Sequence, residues 1–527
     1  MNTIRINEKI KETTLLIITL LLIFYIYLYT MHPVFKTNDS PETTVASVTL
    51  GIGHPPGYPI FVILAKIFSY VPIGNYAFRI NLFSTFLSLA VLFISYKILK
   101  LLYLRIFDKI VPWFYVFLVL IIGFSYIFWD QAIEAKGGIY ILNLLFLSIL
   151  FYYSIKLFFK FKVSYLYLIF FIFSLSLSNH WPSMIILFPV FLYFILRYRQ
   201  RLKIKNYFFI LFFFILGLTP YLFLMIRASS HALLNWGNPE NLKDLLWVIL
   251  RKAYVYPVKP DLKVYLYQIN EFLFFTFWKS NFIFWIFAIT GFFILYKKNK
   301  NSFFFFLSSY LIIIFFVVFY NRTKEDVLYL MDIFLLPSIY VLLLISILGI
   351  LFILNKLTTR IKKSFFLTII FLLLTCMFLI NFNLNDSRKD FFSYDYGNAI
   401  LNTIDKEGVY IGDGDDNLMP VYYLQELMHK RTDVKFFTAS FLIFKWGIDY
   451  YLNKYGNYDL TPYDTNNNIE KIINYNIDKF SVYRSSYFPR RENLKYNFFE
   501  NNKGILIKIS KEKEIFLSDI FELYSYR

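Results

Sequence analysis

Eleven apolar runs recur along this chain, near residues 13–31, 80–101, 110–129, 138–160, 163–179, 181–198, 205–226, 272–296, 302–320, 327–354 and 364–382. Each is long enough to span a hydrocarbon layer about 30 Å thick as a helix. Inside lipid no water satisfies backbone N–H and C=O groups, so such runs must close their hydrogen bonds within the segment. Hydrophobic residues make up 58% of the chain and charged ones 17%, against roughly 45–50% and 25% in soluble domains. The chain therefore reads as an α-helical polytopic membrane protein with about eleven transmembrane helices. The segment 60–71, IFVILAKIFSYV, is too short to cross and carries Lys66, so it is expected as an interfacial or re-entrant helix.

The net charge of +19 is carried mostly by short basic clusters between apolar runs, a pattern of membrane topology and not of a nucleic-acid groove. With Arg5, Lys9 and Lys11 cytoplasmic, alternate loops hold Lys97/Lys100/Arg105/Lys109, Lys156/Lys160/Lys162, Arg197/Arg199/Arg201/Lys203/Lys205, Lys297/Lys298/Lys300 and Lys356/Arg360/Lys362/Lys363. The opposite short loops carry only Lys136, Arg322 and Lys324. The first apolar run is too long for a signal-peptide core and no small-residue cleavage site follows it, so it is expected to remain as the first span. An odd number of spans then places the C-terminal segment outside. That segment, 383–527, turns polar, and its runs GVYIG, VKFFTA, FSVYR and ILIKIS alternate with helix-like stretches such as 417–429. The expected division is a membrane domain over 1–382, with a first outer loop at 32–79, and a soluble α/β domain over 383–527. The lone Cys376 lies in an apolar run, which excludes disulfides and thiol metal sites.

This topology collects the chemistry-bearing side chains on one face: Asp39, Glu42, His54, Asp130, Glu134, His180, Arg227, Asn235, Glu325 and Asp326, together with all five histidines. In NDSPETTVASVTLGIGHPPGYP (38–59), Ser40 can cap a helix, Pro41 suits its first position, and Gly51 and Gly53 stop it. Asp39 and Glu42 stand three apart at that helix start. The spacing suits a general base with an orienting partner, and equally a solvated helix start favoured by its dipole. HPPGYP builds a fixed turn that presents His54 and Tyr58. Glu134, Lys136 and His180 mark two further outer edges. Arg227 closes a span before LLNWGNP, the loop of Asn235 and Trp236, where a guanidinium suits bidentate capture of a phosphate. Asp332 lies inside an apolar run, where an acid normally faces a cavity or a partner. Asp413, Asp415 and Asp416 in GDGDDN lack the spacing of a Ca²⁺ loop and read as a turn with acids at a helix start.

These residues carry a resemblance. DSPETTVASVTLGIGHPPGYPIF resembles the first outer loop of the protein O-mannosyltransferase-like membrane family, with its Asp-Ser-Gly-Glu-like start and His-Pro-Pro-Gly-Tyr-Pro turn. Further matching blocks are PIGNYAFRINLFS (72–84), WDQAIEAKGGIYILN (129–143), SLSNHWPS (176–183), PYLFLMIRASSHALLNWGNPE (220–240) and GDGDDNLMPVYYLQELMHKRTDVKFF (412–437). Pro41, Thr43 and Lys136-Gly137 depart from the family's usual residues.

The resemblance implies a GT-C-like fold and a glycosyltransferase that moves a sugar, mannose included, from a polyprenyl-phosphate donor to an acceptor hydroxyl. It implies Asp39 and Glu42 as the catalytic pair. His54, Tyr58, Glu134, Lys136, His180, Arg227, Asn235 and Trp236 are expected to bind substrate. No metal ligands are expected and no cofactor is required, though a divalent cation stays open. The expected partners are the lipid-linked sugar, a protein, lipid or glycan acceptor, and membrane lipids, with no nucleic acid. The expected location is a bacterial inner membrane with the site on its outer face. A transporter or flippase for a lipid-linked sugar would show broken spans in paired repeats, and none are visible; a non-catalytic envelope scaffold would not order outer acids in this way.

Overall fold

The structure is a computed structural model describing residues 2–107, 114–254, 261–274, 283–320, 329–456, 458–485 and 498–512. Lys109, Arg322, Lys324, Glu325 and Asp326 lie outside these residues. Among those described, eight helices are long and apolar enough to cross a membrane: Ile10–Thr30, Tyr76–Ile106, Gly137–Phe159, Val163–Ile185, Ile204–Ser229, Lys300–Phe319, Leu330–Lys356 and Arg360–Asn385. The chain is a multi-pass helical membrane protein.

Among the described residues two of the eleven expected spans are interrupted, and a third, 272–296, lies partly outside those residues. The run 110–129 is broken at Gly123-Phe124-Ser125 into helices Phe114–Gly123 and Tyr126–Ala132, because glycine is a poor helix former and the extended Ser125 restarts the chain. The run 181–198 becomes the bent end of Val163–Ile185 followed by Phe188–Tyr198. Pro182 removes a helical hydrogen bond there, and His180 leaves helical geometry with φ −138° and ψ 82°. The described parts of the run 272–296 fall in the helices Leu262–Phe274 and Ile283–Lys298. The segment after HPPGYP forms Pro59–Ser69, an apolar helix too short to cross, whose Phe61 and Ala65 are fully buried in the bundle.

The bundle closes around Trp129, Tyr27 and Phe128. Trp129 stacks on Tyr27 at 5.6 Å and its indole N–H donates to Thr30 Oγ1 at 2.9 Å, so its one polar atom is satisfied in the core. Beyond the bundle, a five-stranded sheet comprises β1 (Val409–Gly412), β2 (Lys435–Thr438), β3 (Val482–Ser485), β4 (Phe499–Lys503) and β5 (Leu506–Ser510). Its order is β2-β1-β3-β5-β4, with β1 parallel to both neighbours and β5 antiparallel to β3 and β4. Four of these strands were readable as apolar β-type runs; β4, FENNK, contains no β-branched residue and gave no signal.

The C-terminal sheet region sits against the first loop. Phe35 packs edge-on against Tyr423 at 4.7 Å, and Trp236 meets Phe441 and Trp446 at 5.0 and 5.1 Å. The Tyr422 hydroxyl donates to Leu233 O at 2.7 Å. One buried cluster runs from Val45, Ile52 and Leu234 into Leu418, Val421 and Tyr423, which fixes the helix Asp415–Glu426 over the helix Ser40–Thr49.

Candidate active site

The helix after the first span runs Ser40–Thr49 with Asp39 at its N-cap and Pro41 in its first turn. The capping role expected for Ser40 is not seen: among the described residues no side chain caps this end, and the buried Ser40 hydroxyl has no partner. The Thr43 N–H donates to the Asp39 backbone carbonyl at 2.9 Å as the first bond of the helix. The Asp39 carboxylate makes no capping bond and turns towards Lys136. The helix ends at Leu50, which takes the left-handed conformation at φ 53°. Gly57 and Tyr58 turn the chain again with φ 87° and 46°, which brings the HPPGYP segment back over the first turn of the helix that precedes it.

His54 is consequently clamped between the two acids. Its backbone N–H donates to Glu42 Oε1 at 2.9 Å, and its Nδ1–H donates to the other oxygen of that carboxylate. Its Nε2 faces Asp39 Oδ2 at 3.7 Å and the Tyr58 oxygen at 2.7 Å. Lys136 completes the group. Its ammonium lies 3.0 Å from Asp39 Oδ2, 3.2 Å from the Tyr58 oxygen and 3.2 Å from His54 Nε2, and 4.4 Å from the Tyr58 ring centroid. Two carboxylates and two cations thus share one half-buried centre.

Electrostatics follow from that pairing. Burial opposes the charge on Asp39, but Lys136 and then His54 outweigh it and hold the carboxyl down at about 2. Burial works against the His54 cation too, and the Glu42 carboxylate overcomes it to lift the imidazole up to about 10. Burial likewise disfavours the Lys136 ammonium, and Asp39 more than restores it. The carboxylates of Asp39 and Glu42 are the counter-charges that keep both cations protonated.

Asp39 stands on the wall of a cavity of about 280 Å³ lined by Lys36, Asp39, Asp130, Gln131, Glu134, Lys136, Tyr140 and Asp332, among others. Lys36 donates to Asp130 at 2.7 Å, and burial lifts Glu134 above the usual carboxylate range despite Lys36 nearby. Gln131 is almost fully buried, and its Oε1 has no hydrogen-bond partner among the described residues. Such a lining of acceptors and donors suits a hydroxyl-rich ligand, since unpaired buried polar atoms cost free energy until something bonds them.

The geometry brings Asp39, Glu42, His54, Tyr58 and Lys136 together and puts Glu134 in the adjoining cavity. His180 forms its aromatic flank, stacked on Tyr58 at 5.9 Å and edge-on to Tyr140 at 5.4 Å. Arg227, Asn235 and Trp236 stand behind the loop. The Arg227 guanidinium donates to Leu50 O at 2.6 Å, Thr49 O at 3.2 Å and Ser230 Oγ at 3.2 Å, so it satisfies the carbonyls at the C-terminus of the Ser40–Thr49 helix. Asn235 bridges to Ile52, and Trp236 sits in the contact with the C-terminal sheet region. Their spacing in sequence carried no hint of this, because the partners are carbonyls some 180 residues away.

The profile described as the protein O-mannosyl-transferase TMEM260 N-terminal domain matches residues 39–204, and that of TMEM260-associated domain 2 matches residues 393–517. The chain belongs to a protein O-mannosyl-transferase-like family. The protein O-mannosyl-transferase tmem260 of Dictyostelium discoideum is 28% identical over 271 residues, covering 47% of this chain and 32% of the relative. The TMEM260 protein of Mus musculus is 46% identical over 46 residues, 8% of this chain and 6% of the relative. The chain therefore aligns with a third or less of the curated relatives it matches. The first matched region begins at Asp39 and includes His54 and Lys136.

Three residues near the site were not singled out from sequence as substrate contacts. Asp416 accepts from the Asn38 N–H at 2.7 Å, tying the C-terminal sheet region to the residue before Asp39. Asp415 beside it is exposed at the rim. Partial desolvation there, and then the charges of Asp39 and Glu42, raise its carboxyl above the usual range. Arg251 lines a second small cavity with Pro182, Ser183, Ile186, Phe316 and Phe334, and its positive charge reaches Asp39. GDGDDN was visible as an acidic helix start; only the domain packing reveals what it faces. Arg251 follows a short helix without any motif, and no sequence signal marked it.

Proposed function

We propose that this chain is a membrane glycosyltransferase whose centre is the Asp39–Glu42–His54–Lys136 cluster. The donor is a polyprenyl-phosphate-linked sugar and the acceptor is a hydroxyl arriving from the non-cytoplasmic side. The observation that carries this reading is an ionised, half-buried Asp39 at the wall of a partly open cavity of about 280 Å³ that charged and amide side chains enter, in a chain of this family. The relatives' names point to mannose as the sugar and to a protein as the acceptor.

In this reading the sugar occupies that cavity, with Gln131, Asp130 and Glu134 facing its hydroxyls. The acceptor oxygen forms a bond to the anomeric carbon while the bond from that carbon to the phosphate oxygen breaks. The acceptor proton passes to Asp39, and the electron pair leaves with the lipid phosphate. Glu42 acts through His54, holding the ring against Asp39. A positioned base contributes roughly 10²–10⁴-fold. Arg251 is the cation placed to meet the departing phosphate. It borders Ile186 and Phe316, which also line an adjoining apolar groove of about 380 Å³ that suits a prenyl chain. No acid needs to protonate the leaving group, because a phosphate leaves as an anion stabilised by a cation.

The test is incubation of purified protein with labelled polyprenyl-phosphate mannose and a hydroxyl-bearing peptide. Transfer of label together with release of lipid phosphate is expected. Movement of intact lipid-linked sugar across a vesicle membrane without transfer would replace the reading by a flippase.

A further inference from the structure

Asp39, Glu42 and His54 each offer a ligand atom, and these atoms lie within 4.8 Å of one another. This is the donor set that hard and borderline divalent cations favour. A metal there would need Asp39 Oδ2, one oxygen of Glu42 and one deprotonated nitrogen of His54 at about 2.0–2.6 Å. Each of those atoms has another partner. Both oxygens of Glu42 accept from His54, one from the backbone N–H and one from the ring. Asp39 Oδ2 is held by Lys136 at 3.0 Å and faces His54 Nε2 at 3.7 Å. The ammonium is itself among the ligand atoms, 3.2 Å from His54 Nε2 and stacked over Tyr58.

Backbone packing puts Lys136 there. A Cβ on the next residue, Gly137, would lie 2.3 Å from Gln131 O, and one on Gly138 would lie 2.2 Å from Ser84 Oγ and 2.8 Å from Phe61. Only glycine lets the start of the Gly137–Phe159 helix approach so closely, and that approach carries Lys136, just 7% exposed, over the acids.

We infer that the Lys136 ammonium occupies the place of a divalent cation in this acid–histidine centre, so that the reaction needs no metal. The inference rests on the reading of this cluster as the transferase centre. The donor set fits a metal in kind, but its place is filled: the Lys136 ammonium lies 3.0 Å from Asp39 Oδ2 and 3.2 Å from His54 Nε2, and His54 holds both oxygens of Glu42. A divalent ion would have to expel Lys136 from Asp39 and part His54 from Glu42, losing both contacts. Lys136 then does what a metal would do there, holding Asp39 ionised and oriented, without the Lewis acidity.

The experiment uses the full chain in nanodiscs and reads Mn²⁺ binding by electron paramagnetic resonance alongside sugar transfer. Wild type is expected to keep its transfer rate after dialysis against EDTA and to show no bound Mn²⁺ that Asp39→Asn abolishes. Lys136→Ala and Lys136→Gln are expected to lose transfer by about 100-fold or more, the scale for removing one charged stabiliser. Each should gain a Mn²⁺ site that disappears in the double variant with Asp39→Asn. A wild-type Mn²⁺ site lost in Asp39→Asn would overturn the inference. So would transfer abolished by EDTA and restored by a divalent cation, or the absence of a Mn²⁺ site in both folded Lys136 variants. If wild type transfers no sugar at all, the transferase reading fails, while the Mn²⁺ measurements still decide what Lys136 displaces.

Discussion

Asp39→Asn separates the chemistry of this site from its architecture. The amide keeps the size of the carboxylate and the position at the start of the Ser40–Thr49 helix, but it cannot take a proton. Asp39 is held at about 2, so at neutral pH it is ionised, and in the proposed role of base the whole of its contribution is at stake. Loss of a positioned base costs roughly 10²–10⁴-fold in kcat, which is about 2.7–5.5 kcal/mol on the barrier. A structural side effect accompanies it. Lys136 and His54, 3.2 Å apart, lose the carboxylate they share, so some stability is lost as well. The assay is single-turnover transfer from labelled polyprenyl-phosphate mannose at saturating donor, with donor affinity and thermal midpoint measured on the same samples. A kcat reduced at least 100-fold with donor affinity within about threefold is expected. Turnover within tenfold of wild type in folded Asp39→Asn would refute the assignment. If Glu42→Gln were the inactive variant instead, the role of base would pass to Glu42.

Further expectations concern charge, packing and domain contact. His54 is raised from 6.5 to about 10 chiefly against burial by Glu42, so its contribution to stability is complete below about pH 6.5 and is lost as pH rises through 10. Thermal melts should therefore show wild type exceeding Glu42→Gln most below pH 6.5, with the gap closing towards pH 10; a constant gap would contradict this. Arg227→Ala leaves Leu50 O and Thr49 O without a donor and should cost about 1–3 kcal/mol of stability with donor KM unchanged, whereas Arg251→Ala should raise donor KM without lowering the melt; the opposite assignment would restore Arg227 to the phosphate. Gly138→Ala overpacks against Ser84 and Phe61 and should destabilise by about 1–3 kcal/mol, read by thermal unfolding. A cysteine at Asp459, in a chain with Cys376→Ser, should be labelled from the non-cytoplasmic side; labelling only from the cytoplasm would invert the topology.

The sequence by itself determined that this chain is a bundle of membrane helices with a polar α/β region after it. Lipid leaves the backbone only one way to satisfy its hydrogen bonds, and that constraint is written directly as long apolar runs. It also marked Asp39, Glu42 and His54, because Pro41, the glycines and HPPGYP dictate a helix and a fixed turn within twenty residues. Span ends were less legible: Ser125 and Pro182 interrupt apolar runs that hydropathy reads as continuous. The tertiary structure alone decided which cation meets which acid. Lys136 reaches Asp39 only because Gly137 and Gly138 allow a close approach of backbones. Arg227, which looked equally suited to an anion, spends its donors on helix-end carbonyls instead. Asp416 meets Asn38 across 378 residues. A side chain's charge is local and can be read from its letter, but its partner is set by packing between segments distant along the chain, and no spacing in the sequence encodes that.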